Sequence, residues 1–115
     1  MRYTRVGTPT ECMQRGFGAG AAKERLQRLP STSLQRIKYV GPKMEARFHE
    51  AGIRTTTALV NQMRTKTAAQ IQSTLRRILQ REGGGLDGRA YNSTLLYLYS
   101  NGVPHLPQCT SIRFR

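Results

Sequence analysis

Apolar residues recur at helical spacing along most of this chain, and the alternation that marks strands is nearly absent, which predicts an all-α class. In AAKERLQRL, Ala22, Leu26 and Leu29 form one stripe before Pro30 stops the helix. Ser31, Thr32 and Ser33 are candidate caps for a short helical stripe of Leu34 and Ile37 that runs to Tyr39. After the turn at Val40-Gly41, Pro42 suits the first position of a helix carrying Met44, Phe48 and Ala51 and ending at Gly52. Thr55 to Thr57 predicts the start of another, with Ala58, Leu59 and Met63 inward.

Thr65 or Thr67 is expected to cap the longest helix, about Lys66 to Arg81, with Ile71, Leu75, Ile78 and Leu79 on one face. Gly83-Gly84-Gly85 breaks it. A last helix, Gly88 to Ser100, carries Tyr91, Leu95, Leu98 and Tyr99 and ends at Asn101-Gly102. Three parts follow: an extended basic arm (1–20), a helical domain (21–82), and a Gly linker with a C-terminal helix and extended tail (83–115).

Composition sharpens this picture. The chain has 115 residues, room for one domain, and a hydrophobic share of 37% without Trp predicts a thin core completed by neighbours. The net charge of +13 is mostly Arg and is spread along the whole chain, so an anionic partner is expected. Two cysteines, Cys12 and Cys109, do not make a disulfide-dense scaffold; reduced thiols are the default, and pairing is left open. The N-terminal stretch lacks the apolar region of a signal peptide and no apolar run spans a membrane, so an intracellular location, the virion included, is expected.

Chemistry is sparse. Gly16 to Gly20 follows no strand and lacks G-K-[ST], which makes it a bend and not a phosphate loop. Cys12, His49, His105 and Cys109 have no metal-ligand spacing, and Glu45 and Glu50 lie on different helix faces; no metal, cofactor, small-molecule substrate or catalysis is expected. Asn92-Ser93-Thr94 spells a glycosylation sequon without secretory context. Tyr91, Leu95, Tyr97, Leu98 and Tyr99 make the last helix apolar nearly all round, and with Phe17 they are the expected protein interface.

The segment LQRIKYVGPKMEARFHEAGIRTTTAL, residues 34–59, resembles a helix-hairpin-helix module, about a quarter of the chain. The resemblance implies a helix-hairpin-helix-like bundle with extended arms, and a glycine hairpin whose backbone amides take a phosphate oxygen without reading sequence. Gly41 and Lys43 fall at that hairpin, with Arg47, Arg76, Arg77 and Arg81 as supporting cations. Where the family reads Gly-hydrophobic-Gly this chain reads Tyr39-Val40-Gly41, and a tyrosine is not expected to adopt the glycine's backbone conformation. The flanks TPTECMQRGFGAGAAKERL and GRAYNSTLLYLYSNGVPHLP are similar to small uncharacterised proteins of large double-stranded DNA viruses.

The expected function is a non-enzymatic structural component of a large assembly, such as a small virion or minor capsid protein, docking on other subunits by its arms and C-terminal helix. The alternative is sequence-independent binding of double-stranded DNA through the hairpin. A basic ribosomal protein fits the charge without motif support.

Overall fold

The computed structural model describes residues 2–3, 29–110 and 113–114. Residues 21–28 of the expected helix at 21–29 and the interface residue Phe17 lie outside the described residues, as does Cys12. The described chain is helical: α1 (Pro42–Glu50), α2 (Thr56–Arg64), α3 (Ala68–Ile78) and α4 (Gly88–Ser100). Two short strands, β1 (Arg2–Tyr3) and β2 (Arg113–Phe114), pair antiparallel and bring the two ends of the chain side by side.

Three of the four helices begin at a side-chain cap. Thr55 Oγ1 accepts from Ala58 N at 3.0 Å to start α2. Thr67 and Gln70 exchange the two bonds of a capping box at α3, and Asp87 Oδ1 accepts from Ala90 N at α4. Two helices end in the same way. At α1, Gly52 N donates to His49 O and Ile53 N to Phe48 O; at α4, Gly102 N donates to Tyr99 O and Val103 N to Leu98 O. Both glycines have the positive φ this motif needs.

The segment before α1 forms one three-residue 3-10 turn, Leu34–Arg36, where a helical stripe up to Tyr39 was expected. Ile37 N and Val40 N continue it as successive tight turns onto Leu34 O and Ile37 O. Tyr39 then takes φ +69, so the tyrosine does adopt the left-handed conformation expected only of glycine. A non-glycine residue there costs about 1–2 kcal/mol. The turn is held from both sides: Ile37 and Val40 are buried in the core, and Thr56 N bonds Thr32 O across the base of the module.

The helix expected to reach Arg81 stops at Ile78. Leu79 leaves helical geometry, Gln80 bridges Leu86, and Asp87 N donates to Leu79 O. Gly83, Gly84 and Gly85, all at positive φ, form the tip of this tight reversal, which seats α4 directly against the core where a linker was expected.

The core is continuous and internal. Leu34, Ile37, Phe48, Leu59, Met63, Ile71, Leu75, Leu79 and the α4 residues Tyr91, Leu95, Leu96 and Leu98 are all fully buried in one cluster. Every residue of α4 from Ala90 to Leu96 is buried. A helix that is apolar on most sides, as α4 is apart from Asn92, Ser93 and Thr94, belongs at the centre of a fold. The expected protein interface is therefore corrected: Tyr91, Leu95 and Leu98 are committed to the chain's own core and cannot dock a neighbour. Tyr97 is half-buried against that core, and Tyr99 reaches solvent at 44% exposure. The expectation of a core completed from outside is corrected with it.

Candidate nucleic-acid interface

Helices α1 and α3 pack against each other, and their outer edges gather the cations. Arg47 on α1 and Arg77 on α3 line one open recess with Glu50 at its rim. Lys43 and Arg47 line a second with Arg81, Glu82 and Asp87, so Arg47 is common to both. The turn of α1 matters here: Lys43 and Arg47 stand four residues apart on one face. Arg81 reaches the same face because the chain reverses after Ile78.

Gly41 is the N-cap of α1, extended at φ −98, and no side chain caps this helix start. A Cβ on Gly41 would meet nothing within 4 Å, so the approach to the first turn of α1 is open. Lys43 Nζ donates to Glu82 Oε1 at 2.6 Å, with side-chain exposures of 82% and 76%. The hydrogen bond and charge of Lys43, with a further contribution from Arg47, hold the Glu82 carboxyl below its ordinary range. The face is thus cationic by a small margin: Glu50, Glu82 and Asp87 stand among four cations.

Of the residues expected to contact nucleic acid, Gly41, Lys43, Arg47, Arg77 and Arg81 share this side of the molecule. Arg76 does not join them. Its guanidinium lies 5.5 Å from the centre of the Tyr91 ring, against the core helix. Burial pushes the Tyr91 phenol up, with Arg76 pulling the other way. The Tyr91 hydroxyl has no hydrogen-bond partner of adequate geometry, and neither do the buried Ser93 and Thr94 hydroxyls.

A second cluster was not legible in the sequence. Tyr39 is 41% exposed, with Lys38 Nζ 5.4 Å and Arg89 Cζ 5.9 Å from its ring centre. Arg89 lies in the first turn of α4, two residues from Asp87 at the edge of the Arg47 recess. Arg89 is about fifty residues from Tyr39 in sequence, and no local pattern announces a contact across that separation.

The remaining acids have local work. Glu45 accepts from Ser33 Oγ and Gln35 Nε2, steadying the 3-10 turn, and Asp87 caps α4. Among the described residues no group of three His, Cys, Asp or Glu could hold a metal ion. Cys109 is disulfide-bonded, which differs from the reduced thiol expected and removes it as a ligand. No helix among the described residues is long and apolar enough to cross a membrane.

No family model, curated protein or solved structure matches this chain.

Proposed function

We propose that this chain is a non-enzymatic, sequence-independent binder of the nucleic-acid backbone, acting through the face formed by α1 and α3. The observation that carries this reading is the convergence of Lys43, Arg47, Arg77 and Arg81, drawn from two helices and a reversal, beside the uncapped start of α1. Arg and Lys on phosphate supply affinity without selecting bases, as the absence of a recognition requirement in such contacts dictates. The helix-hairpin-helix resemblance is supported by the left-handed turn at Tyr39, where that family places its first hairpin glycine. Non-enzymatic action is supported by the engagement of the acids: Glu45 is tied to Gln35, and of the two carboxylates in the Arg47 recess Glu82 meets Lys43 and Asp87 caps α4.

The test is duplex binding by fluorescence anisotropy across salt. Four phosphate contacts predict a slope of about −3 to −4 in log K against log salt. Arg47→Glu with Arg77→Glu should flatten that slope and weaken every duplex sequence alike. A flat salt response in the wild type overturns the reading.

A second reading, a structural subunit of a large assembly such as a virion, is favoured by one observation. Cys109 is disulfide-bonded and its segment is clamped to the core helix, which suits a particle that persists outside reducing compartments. The two readings are compatible where the assembly packages nucleic acid. Purification of the chain as a stable partner of other subunits, with cross-links at Tyr99 and Tyr39, would place the weight here.

A further inference from the structure

The cationic face draws on α1, α3 and the reversal after Ile78. A separate recess of about 220 Å3 lies between α2 and the C-terminal end of α4, lined by Thr56, Thr57, Asn61 and Arg64 of the first and Tyr97 and Asn101 of the second. It shares no residue with the two cationic recesses and has about half the volume of either. Thr57, Asn61 and Arg64 stand at i, i+4 and i+7, so they follow one side of α2 over about 10 Å. Three residues of extended peptide cover the same distance.

The chemistry of the lining selects the occupant. Arg64 is its one charged side chain, and no carboxylate among the described residues pairs with it. Arg64 Nη2 donates to Asn101 O at 2.9 Å, and Asn101 Nδ2 donates to Tyr97 O at 2.8 Å. The guanidinium is thus anchored to α4 while most of its N–H groups stay unspent. Thr56 is 4% exposed and lines the recess; its backbone N–H bonds Thr32 O, but no described group bonds its hydroxyl. A phosphate backbone draws several cations together, as α1 and α3 do. One guanidinium among hydroxyls and amides matches a single carboxylate and the peptide groups on either side of it. We propose that this recess binds a short, extended acidic segment of another protein, with Arg64 on its carboxylate and Thr56, Thr57 and Asn61 on its peptide groups. The site is distinct from the nucleic-acid face and does not depend on it.

The experiment is an NMR titration of the isotope-labelled full chain with acetyl-Ala-Glu-Ala-amide and with its Gln counterpart. Salt of about 0.1 M screens the cationic face beyond about 10 Å. The Glu peptide should move the amide signals of Thr57, Asn61 and Arg64 to saturation, and the Gln peptide should bind about tenfold more weakly, the scale of a charge-assisted contact. Arg64→Gln should lose the same factor, and Arg64→Lys should recover little of it, because an ammonium lacks the planar fork. Asn61→Asp, at an exposed helix position, should abolish binding by like charge with Tm unchanged, which excludes misfolding as the cause. Saturating duplex DNA should leave the peptide bound. Equal affinity for the two peptides, or shifts confined to α1 and α3, overturns the proposal. Displacement of the peptide by inorganic phosphate or by the duplex also overturns it, and would make the recess a further contact for the nucleic-acid backbone.

Discussion

Asn92 and Thr110 exchange two hydrogen bonds: Asn92 Nδ2 donates to Thr110 O at 2.9 Å, and Thr110 N donates to Asn92 Oδ1 at 2.8 Å. A fully buried side-chain amide on the central helix thus does for the tail what a neighbouring strand would do. The pair sits beside the Cys109 disulfide and three residues from β2, so three devices hold the C-terminal segment within a few positions. It also takes the sequon out of play, because an acceptor asparagine must be exposed.

Asn92→Ala leaves both backbone groups of Thr110 without their partner, at about 1–3 kcal/mol for each buried group so left. The expected result is a lower urea midpoint and rapid amide exchange at Thr110, with α3 protected as before. Unchanged exchange at Thr110 would mean that the clamp contributes nothing in solution.

Leu95→Ala separates a core from an interface. As a fully buried residue of the central helix, Leu95 should cost about 2–5 kcal/mol on truncation, read as a fall in Tm of the isolated chain. Tyr99→Ser, on the exposed side of the same helix, should change Tm little. Equal effects at the two positions would contradict the burial described above.

Glycine positions give a graded set. Gly52→Ala places a Cβ in open space but at φ +84, so its cost of about 1 kcal/mol is conformational alone. Gly41→Ala, at φ −98 and equally open, should leave stability nearly unchanged. Chemical denaturation of the two variants checks the difference.

Glu82→Gln removes the carboxylate that Lys43 now meets and should raise duplex affinity severalfold at neutral pH. Since the Glu82 pKa is lowered, its charge persists through the ordinary carboxylate range and is lost only as pH falls through the lowered value. The affinity ratio of variant to wild type is therefore expected to stay constant from about pH 7.5 to pH 5 and to shrink only in stronger acid. A ratio already collapsing near pH 6 would show that Glu82 is not held in its charged form.

Reduction offers a further check. Loss of the disulfide at Cys109 should destabilise the chain by about 2–4 kcal/mol, seen as a shift of the urea midpoint with reductant or in Cys109→Ser. Identical midpoints with and without reductant would show that the thiols are unpaired in solution.

Local chemistry was readable without a fold. The threonine caps, the paired glycine stops at Gly52 and Gly102, and the limits of α4 follow from interactions spanning four or five residues, which sequence displays directly. The cationic side chains were readable as a set, but which of them meet was not: Arg76 turns to Tyr91 while Arg77, its neighbour, joins Arg47.

What the amino-acid order alone determined is the extent of α1 and α4, the threonine-capped starts of α2 and α3, and the large positive charge of the chain. Tertiary structure decided the rest. It placed α4 at the centre, because a helix apolar on most sides lowers its free energy most when other elements surround it. It also let Tyr39 hold a conformation that its own propensity opposes, because the buried Ile37 and Val40 on either side leave the turn no better path.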